Sequence, residues 1–445
     1  MKKLVVPTHK LLDLFFKYAI AAVLIFIPLY PKFPLFALPF TYVQIRAEDF
    51  LIAAVWGIFL FRLLVKKKIK LPPLSFQIGI FIAIGLLSSL SAILITKNVV
   101  TVAVLLHFFR RIEYLSLFFL VYWAADTKEN RRYLFELSII PVVGVILYGL
   151  AQIYLGSPVI STMNVESSKG AALTLRPGVP LSSTFAGHYD LAVYLIMIIS
   201  FLTALICSVK GWLKRIPILV LFIAVLWLFM QAGSRIGLLG LFLSVALICY
   251  LYRRFLLGLI LLVVMSAFVI TTPAFIGRFQ TIIKIFTSQV VLVKPVLAVA
   301  VTPIATPTAT PTESLRPIQQ DISTSIRFDV EWPMAIRSFY KNPLLGTGYS
   351  SLGLATDNDY LRALGETGIL GTLAFLSVLV ALFMKLKSAI KGQEGLNKVL
   401  IISALGIFVS FLVSAIFLDV FESSKIAILF WAYMGLALST KHENI

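Results

Sequence analysis

Twelve apolar runs, separated mostly by short polar connections, occupy the greater part of this 445-residue chain. A helix needs roughly 20 consecutive apolar residues to cross a bilayer, and about 17 to 25 is the usual range. The runs reach or approach that length. The pattern therefore predicts an all-α fold, a polytopic transmembrane bundle of about twelve spans in a single membrane domain over residues 1–445. The predicted spans are Leu14 to Leu29, Phe50 to Val65, Leu74 to Ile95, Val102 to Ala124, Tyr133 to Leu155, Leu191 to Val209, Ile216 to Met230, Ile236 to Leu251, Phe255 to Thr271, Gly368 to Met384, Val399 to Phe417 and Ile426 to Leu438.

One connection differs from the rest because it is long and polar, and it covers residues 272–361 between the ninth and tenth runs. Residues 301–315 within it are rich in Pro and Thr, which favours an extended linker; an O-glycosylated or partner-binding segment is the alternative. Apolar residues then recur at near-helical spacing over Thr324 to Tyr340 and predict an amphipathic helix at the outer membrane surface. The next helix is expected to start near Asp357, a good capping residue, and to run into the tenth span.

The formal charge of +19 is distributed in a way that indicates membrane topology. Lysines and arginines collect in alternate connections, which is the positive-inside pattern. It places both termini in the cytoplasm and the long loop outside. Because membrane topology accounts for the positive charge, no nucleic-acid partner is predicted. The residues concerned are Arg62, Lys66, Lys67, Lys68, Lys70, Lys128, Arg131, Arg132, Lys210, Lys214, Arg215, Arg253, Arg254, Lys385, Lys387, Lys391, Lys398 and Lys441.

Composition excludes several classes of protein. Sixty per cent apolar and thirteen per cent charged residues lie outside the range of a soluble globular protein. The two cysteines, Cys207 and Cys249, both fall in predicted spans, so no disulfide framework is expected. The motifs that support ATP-driven transport, zinc proteolysis and serine hydrolysis do not occur in the sequence. No cofactor and no metal site are predicted.

Four arginines lie on the external side in this topology: Arg176, Arg235, Arg278 and Arg327. Arginine presents a planar fork of donors that matches phosphate oxygens and keeps its charge. Several together suit a lipid diphosphate bound at the membrane surface. The alternative for each is an ordinary snorkelling or headgroup-binding residue.

Asp357, Asp359 and Glu366 are the carboxylates nearest the predicted external cavity. A carboxylate there is suited to act as general base toward a sugar hydroxyl that attacks the carbon bearing the diphosphate. Asp357 is alternatively a helix cap, and Glu366 alternatively binds an arginine and holds the loop.

The fourth run carries Arg110, Arg111 and Glu113 near its centre, where charges are rare. Arg110 and Glu113 are three residues apart, so a structural ion pair on one helix face is one interpretation. A substrate or proton pathway through the bundle is the other.

The motifs, taken together, resemble the O-antigen ligase and O-antigen polymerase (Wzy-like) superfamily of membrane glycosyltransferases. The resemblance covers a motif core at residues 176–371 together with the twelve-span layout. The segments that carry it are Arg176 before Phe185 with Ala192 to Leu195, Gln231 to Gly237, Arg327 with Trp332, Asn342 to Gly348, Asn358 to Leu361 and Glu366 to Gly371.

The resemblance implies an inverting, metal-independent glycosyltransferase in the bacterial cytoplasmic (inner) membrane, with its active site facing outside. The donor would be a polyprenyl-diphosphate-linked glycan, the acceptor a glycan or lipid, and the product a surface polysaccharide. Family ligases usually carry His where this chain has Asp357, which favours a polymerase or another surface-polysaccharide transferase. A transporter or flippase of the lipid-linked saccharide is the alternative function.

The predicted site combines these observations. Asp357, Arg235, Arg327 and Glu366 are the predicted catalytic residues, and Arg176, Arg278, Asn358 and Tyr360 the predicted substrate-binding residues.

Overall fold

The computed structural model describes residues 8–37, 44–66, 70–97, 99–160, 172–173, 179–272, 326–353 and 356–440. The Pro/Thr linker, Arg176 and Arg278 lie outside these ranges. The described part is mainly helical. Its helices are α1 (Thr8–Leu29), α2 (Ala47–Lys66), α3 (Ser75–Ser91), α4 (Thr101–Ala124), α5 (Lys128–Leu137), α6 (Ile139–Tyr154), α7 (His188–Ser208), α8 (Trp212–Ala232), α9 (Arg235–Leu251), α10 (Phe255–Thr271), α11 (Trp332–Lys341), α12 (Asp359–Ala389), α13 (Gly395–Ser414) and α14 (Ser424–Leu438).

Two short antiparallel strand pairs and two π-helical turns complete the described structure. β1 (Pro34–Ala37) pairs with β2 (Gln44–Arg46), and β3 (Val159–Ile160) pairs with β4 (Ala172–Leu173). One π-helical turn, Ala92–Thr96, continues α3, and the other, Arg327–Glu331, leads into α11.

Each of the twelve predicted runs coincides with a helix or, for Tyr133 to Leu155, with the consecutive helices α5 and α6. Seven helical segments in the described part are long and apolar enough to cross a membrane, and α9, α10 and α14 are shorter apolar helices. α2 and α4 also coincide with predicted spans but carry several charged residues. The helical membrane fold is confirmed, and the count of about twelve spans stays a prediction.

α7 and α14 form the centre of the bundle. α7 is apolar on all faces and is buried along nearly its whole length against α8, α9 and α13, as expected for a helix without a polar stripe. α14 is buried throughout and packs on α4. Gly435 allows this close approach, because an added Cβ would overlap the carbonyl group of Phe118.

A kink at Gly368 divides α12 and positions the carboxyl end of the long loop. Gly368 has φ 63° and ψ −166°, a conformation that only glycine adopts readily. Beyond the kink, Ile369 N donates to the Pro343 carbonyl (2.9 Å) and Leu370 N to the Leu344 carbonyl (3.2 Å). The loop carbonyls thus replace helix hydrogen bonds that the kink breaks.

The residues that follow in the loop bind the other side of the kink. Thr347 N donates to the Gly365 carbonyl (3.0 Å), and Gly348 N donates to the Glu366 carbonyl (2.8 Å). The Ser88 hydroxyl of α3 donates to that same Glu366 carbonyl (2.9 Å). The segment Asn342–Gly348 is therefore held to α12 by backbone hydrogen bonds on both sides of the kink. These bonds fix the position of Glu366 in the bundle.

Residues 326–341, within and next to the stretch predicted as an amphipathic helix, are helical, and α11 packs against α12. Its location at a membrane surface stays a prediction. The expected cap of the following helix was wrong by one residue. Asn358 is the cap, because its side chain accepts a hydrogen bond from Leu361 N (2.9 Å), and Asp357 precedes it in a left-handed conformation with φ 49°.

Candidate active site

Charged side chains from several segments meet at one end of the bundle. They come from the turn after α1, β2 with the start of α2, the first half of α4, the start of α7, the turn before α11, the start of α12, the loop between α13 and α14, and the start of α14. Most of these side chains are buried or half-buried. Buried charges are tolerated where opposite charges and hydrogen bonds compensate them, so the cluster is tightly paired.

Arg327 and Asp357 form the best-defined pair of the predicted site. Arg327 Nε donates to Asp357 Oδ2 (2.8 Å), and Arg327 Nη2 lies 2.7 Å from the same oxygen. The guanidinium also reaches Tyr189 at the start of α7, 5.9 Å from the ring centre. Arg327 therefore connects the long loop to the start of α7.

Asp357 binds Arg327 through one carboxylate oxygen. Both contacts use Oδ2, no contact of Oδ1 is found among the described residues, and the Asp357 side chain is 29% exposed. Burial raises the pKa of Asp357 above its ordinary value, and the nearby Arg327 cation opposes part of that rise. A carboxylate held in this way, with a raised pKa, can accept a proton.

Glu331 lies in the same electrostatic environment, one helical turn after Arg327. Burial, followed by the negative charges of Asp357 and Asp419, raises the pKa of Glu331 to about 7. Its Oε2 is buried and has no hydrogen-bond partner among the described residues. A carboxyl group with a pKa of about 7 thus borders the predicted site, in addition to Asp357.

Asp419, in the loop after α13, fixes the chain on both sides of Asp357. Its carboxylate accepts hydrogen bonds from Thr356 N (2.9 Å), Asn358 N (3.2 Å) and Arg362 Nη2 (2.9 Å). Asp357 is therefore held between two anchored backbone positions. This anchoring makes its left-handed conformation sustainable.

Glu366 is fully enclosed in α12, with 1% of its surface exposed. Its carboxylate accepts a hydrogen bond from Ser350 N (3.1 Å) and lies 3.7 Å from Arg362 and 3.8 Å from Arg111. These contacts match the arginine-binding, loop-holding alternative for this residue. Its predicted catalytic role stays a prediction.

A polar cavity of about 170 Å³ is lined in part by Arg111 and Arg362, the two arginines nearest Glu366, whereas Arg327 and Asp357 are not among its lining residues. Five cationic side chains line it, namely Lys32, Arg46, Arg110, Arg111 and Arg362. Glu422 is the acidic residue among the described lining, and it pairs with Arg111. The other acidic partners do not line the cavity: they are Asp190 on Lys32 (3.2 Å), Glu48 on Arg46 (3.5 Å), Asp49 on Arg110 (3.3 Å) and Asp419 on Arg362 (2.9 Å).

This arrangement presents pre-oriented cations to the cavity. Each arginine is held by a carboxylate, so little side-chain freedom remains to be lost when an anion enters. Arginine donors match the oxygens of phosphate in geometry and charge. The cavity is therefore suited to bind a phosphate or diphosphate group.

A buried lysine joins the segment before α7 to the start of α14. Lys425, at the start of α14, donates to the Thr184 carbonyl (2.9 Å) and lies 4.8 Å from the centre of the Phe185 ring. Its neighbour Ser424 donates to Glu48 (3.2 Å), which is completely buried. These contacts tie the segment before α7 and the start of α2 to α14.

The predicted site residues divide into three groups. Arg327, Asp357 and Glu366 lie in or beside the charged cluster. Asn358 caps α12, and the Tyr360 hydroxyl donates to the Leu412 carbonyl of α13 (2.9 Å), so both serve packing in this structure.

The third group contains the remaining predicted arginines. Arg235 begins α9, directly after Ser234, whose side chain caps that helix by accepting from Gly237 N (3.1 Å). The loop before it is fixed by Leu181 N, which donates to the Gln231 carbonyl (3.0 Å). Arg235 is not among the residues that line the cavity. Arg176 and Arg278 lie outside the described residues.

The predicted ion pair between Arg110 and Glu113 is not among the salt bridges of the described residues. Arg110 binds Asp49 of α2 instead (3.3 Å) and also donates to the Gln44 carbonyl. Sequence spacing on one helix did not reveal this partner, because it comes from a neighbouring helix.

Among the residues of the cluster that sequence reasoning missed are Lys32, Arg46, Glu331, Arg362, Asp419, Glu422 and Lys425. For Arg362 a signal was available, since it precedes Glu366 by four residues at the start of the tenth span, the spacing of a helical ion pair. Asp419, Glu422 and Lys425 border the last two apolar runs, where charges indicate function or pairing. Their actual partners follow only from the packing of distant segments.

Comparison with known families finds a match over about a third of the chain, beginning near its middle. Residues 219–376 match the family model described as O-antigen ligase. The matched segment contains Arg235, Arg327, Asp357, Arg362 and Glu366. Among curated proteins, none matches this chain.

Proposed function

We propose that this chain, whose residues 219–376 belong to the O-antigen ligase family, is a glycosyltransferase that polymerises or transfers a polyprenyl-diphosphate-linked oligosaccharide on the external face of the cytoplasmic membrane. The family supports a role in surface polysaccharide biosynthesis. The proposal goes further in naming the donor, the face of the membrane and the residues that act.

One observation carries this proposal: the cationic cavity and the Asp357 carboxylate are joined through a single ion pair. Arg362 lines the cavity and binds Asp419, and Asp419 accepts from the backbone on both sides of Asp357. An anion bound in the cavity would therefore lie beside a carboxylate held in a fixed position. A glycosyl diphosphate with its acceptor hydroxyl needs these two features together.

The proposed reaction is a single displacement at the anomeric carbon of the donor sugar. The acceptor hydroxyl oxygen forms a bond to this carbon while the bond from the carbon to the diphosphate oxygen breaks. The polyprenyl diphosphate leaves with the bonding electron pair, and Asp357 Oδ1 takes the hydroxyl proton. Attack from the side opposite the leaving group inverts the anomeric configuration.

The cavity arginines stabilise the leaving group in this scheme. Negative charge develops on the diphosphate as the glycosidic bond breaks, and guanidinium groups already oriented by carboxylates stabilise it without rearranging. Arg327 contributes by holding Asp357. Metal independence is part of the proposal, because the cations supplied by the chain take the role that a bound divalent ion has in other phosphate chemistry.

The test uses purified protein in proteoliposomes with a polyprenyl-diphosphate-linked repeat unit and EDTA. Products are resolved by gel electrophoresis and mass spectrometry. A ladder of longer glycans on the lipid is expected, and the Arg327→Ala and Asp357→Asn variants should lose it. Transfer of one glycan to a different acceptor lipid would identify a ligase within the same proposal.

Two results would contradict the proposal. Movement of the lipid-linked saccharide across the membrane without a new glycosidic bond would identify a transporter. Full activity of Arg327→Ala, Arg235→Ala and Asp357→Asn would remove the site assignment.

A further inference from the structure

A second cavity, of about 370 Å³, lies between α2 and α4. Its walls are mainly apolar and include Ile52, Ala53, Leu106 and Phe109. At its far end, the Trp56 indole Nε1 donates to the Ser116 hydroxyl (2.9 Å) and connects the two helices. We call this cavity the α2–α4 groove.

The groove faces the lipid side of the bundle. Phe109 is 61% exposed and Phe50, at the start of α2, is 54% exposed, although both are large apolar side chains. Exposed apolar surface on a transmembrane helix is covered by lipid in the membrane. A hydrocarbon chain can therefore enter the groove sideways from the bilayer.

Arg110 connects the groove to the cationic cavity, because it lines both. The groove extends along α4 from Leu106 to Ser116, about 15 Å at the rise of an α-helix. An apolar slot in contact with lipid therefore leads to a set of cations through one shared arginine. The combination fits a molecule with a long apolar chain and an anionic phosphate end.

The cation that lines the groove is paired with one of its acidic side chains. Arg110 lies 3.3 Å from Asp49. The two opposite charges offset each other, which makes this part of the groove more compatible with an apolar chain than a lone charge would be.

We propose that the α2–α4 groove holds the phosphate-proximal isoprene units of the donor lipid, and that Arg110 binds the phosphate attached to them. This inference rests on the proposed function for the identity of the donor. The groove is a single slot between two helices, so it suits one isoprenoid chain rather than the two acyl chains of a glycerophospholipid. The sugar-bearing phosphate then reaches the cavity that Arg111 and Arg362 line.

The probe for this proposal is a polyprenyl diphosphate without sugar that carries a photoreactive diazirine in its first isoprene units. Cross-linked peptides are identified by mass spectrometry after irradiation in proteoliposomes. Cross-links are expected on peptides of α2 and α4 that contain Ala53 or Phe109. Competition by unmodified polyprenyl diphosphate should remove them, and phosphatidylglycerol at the same concentration should not.

Two adjacent residues provide a matched pair of variants. Ala53 and Ala54 are both exposed on α2, but only Ala53 lines the groove. Ala53→Trp should fill the groove and lower the cross-linking yield about tenfold, which corresponds to the burial lost with roughly two methylene-sized groups. Ala54→Trp adds the same indole to the lipid-facing surface and should change the yield less than about twofold. Equal thermal stability of the two variants in detergent confirms that both fold.

The outcomes separate this inference from the proposed function. Undiminished cross-linking in Ala53→Trp, or equal competition by phosphatidylglycerol, would overturn the groove as an isoprenoid site even if glycosyl transfer occurs. Specific cross-linking that Ala53→Trp abolishes, in a protein that forms no glycosidic bond, would support the groove and contradict the enzyme.

Discussion

Arg327 is the residue on which the geometry of the predicted site depends most directly. It binds Asp357 through two of its nitrogens and also reaches Tyr189. Arg327→Ala should lower kcat about a hundredfold or more. Without Arg327 the Asp357 carboxylate is no longer held in place, and a displacement of a reacting group by about 1 Å lowers the rate by about that factor. Arg327→Lys keeps the charge but has no planar fork of donors, so its loss should be intermediate. Initial rates of glycan extension measure both.

Arg337→Ala is the matched control for this prediction, because Arg337 is exposed on α11, ten residues farther along the same helical segment. It should retain the activity of the unmodified protein. An equal loss in both variants would indicate that the loop responds to any lost cation and that Arg327 has no special position.

The pH dependence distinguishes the two carboxylates near Arg327. Burial raises the pKa of Asp357, and burial with neighbouring negative charge raises the pKa of Glu331 to about 7. If Asp357 is the base, activity rises with pH as Asp357 loses its proton, because only the ionised carboxylate accepts the hydroxyl proton. Asp357→Asn should be inactive, whereas Glu331→Gln should keep the acid limb of the unmodified protein. Profiles of kcat/KM from pH 4 to pH 9 measure this.

The opposite result would assign the base to Glu331. In that case the unmodified protein shows its acid limb near pH 7, and Glu331→Gln removes that limb. Binding of the donor to Asp357→Asn, measured separately, shows whether that variant has lost the chemical step or the site.

At the scale of an element, the kink of α12 determines where Glu366 lies. A Cβ at Gly368 would approach the Leu344 carbonyl within about 2.5 Å, where the loop and the helix exchange hydrogen bonds. Gly368→Ala should therefore lower stability by about 1–2 kcal/mol for the positive φ and a further amount of about 1–3 kcal/mol for the overlap. Thermal unfolding in detergent measures the combined effect.

Gly392 offers the control for this prediction, since it also has a positive φ of 78° but no atom within 4 Å of an added Cβ. Gly392→Ala should show the backbone penalty alone. Equal unfolding temperatures of the two variants would contradict the close packing of the loop against Gly368 that the structure shows.

The same helix shows how far sequence could predict the elements. Apolar periodicity identified α12, because the length of an apolar run depends on local composition. It did not identify the kink or the exact cap. The Glu366 to Gly371 segment was recognised as a motif, but its hydrogen bonds to Asn342–Gly348 depend on two segments folding against each other. Propensity at single positions carries no information about such a contact.

At the scale of the whole molecule, the cationic cavity combines the matched family segment with residues far from it. Arg362 lies in the segment 219–376, whereas Lys32, Arg46, Arg110 and Arg111 come from the first quarter of the chain. The sequence predicted cations on the external side, but it predicted another set. The positions of Lys32 and Arg46, which border the first two spans, do not by themselves indicate a shared site. Their side chains line one cavity because the helices α4 and α14 pack beside them.

Orientation in the membrane is the remaining large-scale prediction, and it decides whether the site faces the compartment of the acceptor. The alternation of basic connections places the turn between α12 and α13 in the cytoplasm and α11 outside. Lys391 in that turn and Tyr340 at the end of α11 are both exposed, and Tyr340 has 73% of its surface accessible. Single cysteines at these two positions therefore report the two sides.

The native cysteines do not interfere with this measurement, because Cys207 and Cys249 are each 2% exposed and lie against each other inside the bundle. In spheroplasts treated with a membrane-impermeant maleimide, Tyr340→Cys should be labelled and Lys391→Cys should be protected. Both should react after the membrane is permeabilised, which shows that protection is topological. Labelling of Lys391→Cys without labelling of Tyr340→Cys would show that the orientation is opposite to the predicted one. The cationic cavity, which is formed at the same end of the bundle as the segment before α11, would then open to the cytoplasm, and an external glycosyl transfer at this site would be ruled out.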